Sequence, residues 1–231
     1  VDKPNKKGRK MRESVNLSRA SFLAKVLFCV VLALSCFVLT ACGGGGEKSE
    51  EDISLKPFVA GEKLTLTDVT KSQNITLVRT AEGFVLDGKD EKKSIMFDIF
   101  ATYCPPCQKE APHLMDFGLK NSDDFKIVGL ISFEEVTDEY VVEKFVKKYG
   151  AYYFIANNKN NERLINQILR DISYKESLQI PFKVVLSGGT YQTLTDNLGS
   201  GKKQKFYLGE VSTEVIKQDF LRIKKLAKKA E

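Results

Sequence analysis

With one histidine and five cysteines in 231 residues, the chain is poor in the residues that hold soft metals. A structural zinc site needs four Cys or His ligands. His113 and a single close cysteine pair, Cys104 and Cys107, cannot supply them, so we expect no metal. So few cysteines also exclude the disulfide-stapled scaffolds of small exported domains. Internal repeats are absent, which argues against a solenoid or propeller. No apolar run reaches the roughly 20 residues of a membrane-spanning helix. At 42% hydrophobic and 29% charged, the composition is neither collagenous nor disordered. Charge of one sign is also missing from most of the chain. Residues 1–41 hold eight Lys/Arg against two acids, which accounts for the whole net charge of +6. Residues 42–231 are formally neutral and carry no basic footprint for nucleic acid.

What is present begins with a basic stretch, Lys3 to Lys25, running into an apolar segment, Val26 to Ala41. A basic region, a short apolar run and a small residue before a boundary describe a secretory signal peptide. Leu39-Thr40-Ala41-Cys42 resembles a lipobox, which implies that Cys42 is lipidated and heads the mature chain. Acyl chains contribute about 0.8 kcal/mol per buried methylene, enough in combination to tether a protein without a helix. We therefore expect a signal peptide over 1–41, a lipidated cysteine with a Gly-rich, acidic linker over 42–57, and one domain over 58–231. The reading places that domain on the extracytoplasmic, periplasmic face of a membrane. Cys29 and Cys36 leave with the signal peptide, so Cys104 and Cys107 are the cysteines of the mature domain.

Within the domain, Lys63–Asp68, Asn74–Arg79 and Gly83–Leu86 read as short strands. Ser94–Phe100 (SIMFDIF) and Phe125–Phe133 are apolar runs of the kind buried on both faces. Helical spacing follows Cys104, covers Asp138–Tyr149 with Gly150 as its stop, and returns over Asn160–Ile172. Ala151–Ala156, Phe182–Leu186 and Lys205–Leu208 are further strands, and Ser212 caps a last amphipathic helix with lysines in its final turn. Alternating strands and helices predict an α/β sheet with a parallel portion, and the closing strand–strand–helix order predicts an antiparallel edge.

The strongest chemical feature is Cys104-Pro105-Pro106-Cys107 at a strand-to-helix junction. The unpaired N–H groups and dipole of a helix N-terminus favour the thiolate of Cys104. Cys107, one turn on, is placed to attack a mixed disulfide formed on Cys104, so the pair can exchange two electrons with another disulfide. The two prolines fit the first turn, where a missing N–H costs little. A passive bridge over so short a loop would constrain few unfolded conformations. Asp98 lies inside an apolar strand, where an unpaired carboxylate is expensive, and that suits it to exchanging a proton with Cys107. Glu110 is open to two readings, a solvated helix residue or a member of the site. His113 reads as a residue of the helix face.

The stretch Ile95–Pro112 (IMFDIFATYCPPCQKEAP) resembles the active-site region of thioredoxins, and most of all the membrane-anchored TlpA/ResA-type reductases. The resemblance implies a thioredoxin fold, with an N-terminal strand extension and a helix–strand insertion around Asp138–Ala156. It implies that Tyr103 stands where an aromatic precedes the first cysteine. It gives Asp98 the place of the buried acid of thioredoxins and Glu110 that of the functional glutamate of ResA-like proteins. It makes Ile180-Pro181 the cis-proline segment, with Tyr103, Pro105, Ile180 and Pro181 receiving substrate. The activity it implies is thiol–disulfide exchange without a cofactor, reducing disulfides of client proteins. Apocytochrome c would be the commonest client, a membrane donor of the DsbD/CcdA type would return the electrons, and the protein would act as a monomer. An oxidase using the same site, a thioredoxin-fold peroxidase and a non-catalytic peptide-binding lipoprotein stay open as alternatives. Thr102 lies only two positions before Cys104, closer than the peroxidase signature places its threonine.

Overall fold

The computed structural model describes residues 53–201 and 203–230. The expected signal peptide, Cys42 and most of the expected linker lie outside the described residues. Among the described residues, no helix is long and apolar enough to cross a membrane.

Strands β1 (Lys63–Thr67), β2 (Asn74–Arg79) and β3 (Phe84–Leu86) form an antiparallel meander. In β1 exposed residues alternate with buried Leu64 and Leu66, the signature of a sheet with one wet face. A second sheet contains β4 (Ser94–Phe100), β5 (Phe125–Ile131), β6 (Phe154–Ala156), β7 (Phe182–Ser187) and β8 (Thr190–Tyr191), in the order β6-β5-β4-β7-β8. Strand β9 (Tyr207–Leu208) also pairs with β7. Strands β4, β5 and β6 run parallel, and β7 runs antiparallel to β4.

Helix α1 (Pro105–Lys120) connects β4 to β5. The β5–β6 connection holds α2 (Asp138–Val141), a π-helical turn (Val142–Val146) and α3 (Lys147–Tyr149). Helix α4 (Asn161–Asp171) precedes β7, and α5 (Thr213–Ala230) closes the chain. A parallel β-α-β unit, an antiparallel strand pair beside it and a closing helix make this a thioredoxin fold, with β1–β3 as the N-terminal extension and α2–β6 as the insertion.

The centre of the molecule is β4, all seven residues of which are buried. Its side chains alternate between two cores, as a period of two requires. Ile95, Phe97 and Ile99 pack with Leu164, Ile165 and Ile168 of α4. Met96 and Phe100 pack with Ala111, Leu114 and Phe117 of α1 and with Ile216 and Phe220 of α5. Fully burying one such aromatic or aliphatic side chain is worth roughly 1.5–3 kcal/mol, so this strand fixes the positions of both helix layers. Gly129 of β5, paired with Asp98, keeps this packing tight. A Cβ there would come within 3.0 Å of the Phe100 ring and 3.1 Å of Ile155.

Some boundaries differ from the sequence expectations. Strand β5 ends at Ile131 because Phe133 adopts a left-handed backbone, with φ of 64°. The expected strand over 151–156 keeps only its last three residues. Strand β8 was missed although its signal is present. Gly188 and Gly189, with φ of 59° and 76°, form a two-residue hairpin loop between Ser187 and Thr190, the conformation that favours glycine at both positions. The end of the expected linker is held on the domain. Arg163 donates from Nε to Lys56 O at 2.9 Å, Asn166 donates to Ser54 O at 3.1 Å, and Arg170 donates to Leu55 O at 3.1 Å.

The two sheets are joined through α4 by a buried ion pair. Arg79 of β2 donates from both terminal nitrogens to the Asp171 carboxylate. Tyr191 and Gln167 donate to the same carboxylate at 3.0 and 2.7 Å. Removing one member of a buried pair strands the other without compensation, which typically costs 3–5 kcal/mol. Arg79→Ala should therefore lower the unfolding free energy by about 3 kcal/mol or more in urea titrations. A loss below about 1 kcal/mol, the range of exposed pairs, would contradict this account of the junction.

Candidate active site

Strand β4 delivers the chain to the site through a short turn, Ala101–Tyr103, that is tied down on both sides. Thr102 donates its N–H to Glu134 Oε1 and its hydroxyl to Glu134 Oε2, the latter at 2.7 Å. Gln108 of α1 donates to Thr102 O at 2.7 Å. Neither Glu134 nor Gln108 stood out in the sequence, because each acts on Thr102, which only the fold brings within reach. Cys104 then forms the N-cap of α1 in an extended conformation, with Pro105 and Pro106 in the first turn. Its Sγ accepts a hydrogen bond from the Cys107 N–H at 3.4 Å, so the sulfur occupies the place of a capping acceptor, where negative charge is stabilised.

Cys104 and Cys107 form a disulfide, with Cα atoms 5.3 Å apart. Both residues are largely buried, at 5% and 4% exposure, beneath an exposed rim of Tyr103, Pro105 and Pro106. The Tyr103 hydroxyl donates to Phe133 O at 3.5 Å, and the Phe133 ring is itself exposed. A left-handed backbone is uncommon for a bulky aromatic residue, and such positions concentrate at functional sites.

The Ile180–Pro181 peptide is cis. Ile99 pairs with Phe182, so the cis bond lies at the same edge of the sheet where β4 exits toward Cys104. Ile180 packs against the cluster that contains both cysteines. Gly209 donates to Pro181 O at 2.9 Å and holds the segment from its other side. The structure thus gathers Tyr103, Cys104, Pro105, Cys107, Ile180 and Pro181 at one end of the sheet.

Strands β4 and β7 and helix α1 also enclose a buried charge cluster. Asp98 and Glu110 are each 3% exposed, so Glu110 is not a solvated helix residue. The partner absent from the sequence expectations is Lys183, fully buried on β7 directly opposite Asp98. Its Nζ donates to Glu110 Oε2 at 2.8 Å and stands 3.4 Å from Asp98 Oδ1, within ion-pair range but without a directed hydrogen bond. Glu110 Oε1 accepts the Val211 N–H at 2.8 Å, and Asp98 Oδ2 accepts the Tyr153 hydroxyl at 3.4 Å. Burial pushes the Glu110 carboxyl above its ordinary range; Lys183 opposes the rise and the Asp98 charge adds to it. Burial likewise pushes the Tyr153 phenol up, reinforced by Asp98. The sequence did contain a signal for Lys183, a lone cation inside the apolar strand Phe182–Ser187, mirroring the lone acid in β4. His113 is exposed on α1, and no cluster among the described residues could hold a metal ion.

A C-x-x-C disulfide at a helix N-terminus, beside a cis-proline and on a helix that also carries a buried carboxyl, defines the class as thioredoxin-fold proteins with a dithiol/disulfide site. The curated proteins similar to this chain agree in kind. A protein named thiol-disulfide oxidoreductase ResA from Bacillus thuringiensis subsp. konkukian is 28% identical over 106 residues, covering 46% of this chain and 58% of that protein. Its namesake from Bacillus cereus is 30% identical over 87 residues, covering 37% and 49%. The chain thus spans about half the length of the curated relatives it matches. Among solved structures, StoA from Bacillus subtilis superposes with a TM-score of 0.45 at 17% identity, over 70% of this chain and 98% of StoA. No protein-family model matches the chain.

The raised Glu110 carboxyl has a consequence for stability. Above the ordinary glutamate value of 4.5, the unfolded chain has lost a proton that the native state still holds. Stability therefore falls as pH rises from there through the native value, since it falls wherever the native state binds more protons. Denaturation of the oxidised protein across pH 4 to 8 should show this decline, and Glu110→Gln should flatten it. A decline of equal slope in Glu110→Gln would assign it to another group.

Proposed function

We propose that this protein is a thiol–disulfide oxidoreductase that reduces disulfides in partner proteins outside the cytoplasm. The observation that carries the reading is the Cys104–Cys107 disulfide at the α1 N-terminus beside the cis Ile180–Pro181 bond. The name shared by the curated relatives supports it.

In the reduced protein the Cys104 thiolate attacks a client disulfide. A bond forms between Cys104 Sγ and one client sulfur, the client S–S bond breaks, and the other client sulfur leaves as a thiolate that takes up a proton. Cys107 then loses its proton, and its thiolate attacks Cys104 Sγ. The Cys104–Cys107 bond forms, the mixed disulfide breaks, and the second client thiolate leaves. Two electrons have passed to the client, and its two thiolates take up two protons, one released by Cys107 by way of the buried carboxyls and one from solvent. The buried carboxyls of Asp98 and Glu110 receive the proton released by Cys107. Tyr103, Pro105, Ile180 and Pro181 form the surface that meets the client, with the Ile180 backbone positioned to pair with an extended client strand.

Re-reduction requires a dithiol donor, which we assign to a membrane protein of the DsbD/CcdA type. By resemblance, the client class is apocytochrome c. The lipobox-like Leu39–Cys42 supports tethering of the domain, over 58–231, through a lipidated Cys42. Export would place the site where disulfides form and persist. Loss of labelling by a radioactive fatty acid in Cys42→Ser would bear the tether out, and undiminished labelling would refute it.

The test of the activity is reduction of insulin by the full chain with dithiothreitol as electron source. Wild type should accelerate precipitation of the insulin B chain, and Cys104→Ser should abolish the acceleration. Cys107→Ser should accumulate a mixed disulfide that does not resolve. Equal turbidity curves for wild type and Cys104→Ser would leave only a peptide-binding role.

A further inference from the structure

We propose that the projecting end of helix α5 docks the domain on an anionic membrane surface, with Lys225, Lys228 and Lys229 meeting lipid phosphates and Leu221 and Leu226 entering the headgroup boundary. The inference rests on the tethering of the chain proposed above and adds a surface that sets which way the tethered domain faces.

The helix outlasts its core. Ile216, Phe220 and Ile223 are buried with Phe117 and Phe125, and no described side chain of α5 beyond Ile223 is buried. Lys225, Leu226, Ala227, Lys228 and Lys229 are all exposed. Helices in proteins draw most of their stability from packing, and this last stretch has none. On the outward face Lys217, Leu221, Lys225 and Lys228 follow one another at helical spacing, each exposed. Leu221 and Leu226 are 55% and 52% exposed. Residues 217–229 hold six Lys/Arg against one acid, Asp219, although residues 42–231 as a whole are formally neutral. Arg222 is engaged by Asp219 and Lys224 by Asp124. Lys225, Lys228 and Lys229 have no acid partner among the described residues. The helix dipole accounts for cations in a last turn, but not for exposed leucines set among them. Lysines beside leucines on one helix suit an anionic lipid surface, where the ammonium groups stay at the phosphates and the apolar groups reach the acyl boundary.

The place of this helix end in the fold supplies the second argument. Strands β4 and β5 run parallel toward the disulfide end. Asp124, which holds Lys224, immediately precedes β5, and its carbonyl accepts the N–H of Ser94, the first residue of β4. The end of α5 therefore lies at the pole opposite the disulfide. The described chain begins at that pole too. Asn161 donates to Ile131 O and Ala156 O at the exits of β5 and β6, so α4 starts at the disulfide end. It finishes at Asp171, which is bound by Tyr191 opposite Leu186, and Leu186 in turn faces Ile95 near the start of β4. Going back toward the N-terminus, Lys56 meets Arg163 early in α4, whereas Leu55 meets Arg170 in its last turn. Residues 43–52 separate Ile53 from the expected lipidated Cys42, and at full stretch such a segment reaches about 40 Å. The tether and the lysine-rich helix end thus share one pole, and the tether raises the effective concentration of lipid at the lysines. Docked this way, the domain turns Cys104 and Cys107 away from the bilayer, toward clients. Re-reduction by a membrane donor then requires undocking, which a contact made largely by screened charge permits.

The chain contains no tryptophan, so a single introduced one reports its own surroundings. Leu226→Trp marks the helix end and Phe133→Trp the disulfide end, each in the full chain. The probes are vesicles of phosphatidylcholine alone and of phosphatidylcholine with phosphatidylglycerol, both carrying brominated acyl chains that quench a tryptophan at the bilayer. Leu226→Trp should shift to the blue and be quenched on the anionic vesicles, and much less on the neutral ones or at high salt. Phe133→Trp should be quenched on neither. Replacing Lys225, Lys228 and Lys229 together by glutamine in the Leu226→Trp background should lower the ratio of docked to undocked domain by about a hundredfold, roughly a factor of five for each lysine. All three side chains are exposed, so the urea midpoint should not move. Equal emission of Leu226→Trp on the two vesicle types would overturn the proposal, as would stronger quenching of Phe133→Trp or full quenching in the triple glutamine variant. An acidic protein as the true partner would give the first of these results. Flotation with the neutral vesicles reads attachment through the N-terminal segment by itself. Its failure would remove the tether reading, and flotation with an unquenched Leu226→Trp on anionic vesicles would overturn the docking alone.

Discussion

A carboxylate inside a strand that is buried on both faces must find a cation, and here that requirement links every part of the site. Strand β4 is the centre of the sheet and exposes none of its seven residues, yet it carries Asp98. The compensating charge comes from the neighbouring antiparallel strand, and the remaining valence of that lysine is taken by Glu110 on the helix that presents the cysteines. Three elements that could pack in several ways are thereby fixed to one another, one of them the helix that begins at the disulfide. A buried ion pair is a poor source of net stability, because desolvation offsets much of the attraction. What it supplies is a fixed relation between β4, β7 and the helix that begins at the disulfide.

The two ends of the active-site segment are set by different means. Upstream, packing of β4 into both cores places the chain, and Glu134 and Gln108 then secure the turn through backbone and side-chain hydrogen bonds of Thr102. Downstream, Pro105 and Pro106 start α1 without leaving N–H groups unpaired, and the Cys104 sulfur serves as the cap. The sulfur that reacts is thus also part of the helix boundary. Tyr103, Pro105 and Pro106 next to it in the chain are exposed, as is Phe133, whose carbonyl accepts from the Tyr103 hydroxyl. The proposed chemistry and the proposed docking surface are supplied by neighbouring residues of the same short stretch.

Much of this was legible in the residues alone, for identifiable reasons. Ser94–Phe100 announced itself because an uninterrupted apolar run has few uses other than a doubly buried strand. The C-x-x-C pair, its prolines and Asp98 lie within one continuous stretch, so their relation needed no tertiary information. Ile180-Pro181 was found through resemblance, since a proline before an apolar strand does not reveal its isomer. The unread part is the part that depends on register. Lys183 meets Asp98 only because β7 pairs antiparallel to β4 with Ile99 opposite Phe182. Glu134 reaches Thr102 only because β5 ends at Ile131. Strand lengths at the edges, such as Phe154–Ala156 and Tyr207–Leu208, were overestimated because partners rather than propensity set where an edge strand stops.

The central claim is that the Cys104–Cys107 couple donates electrons to client disulfides. Its reduction potential, determined by equilibration of the full chain with glutathione or dithiothreitol buffers, tests this most directly. The account predicts a value nearer the roughly −270 mV of reducing dithiols than the roughly −120 mV of strong disulfide oxidants. A potential at the oxidising end of that range, with the pair held as a disulfide in the cell, would contradict it.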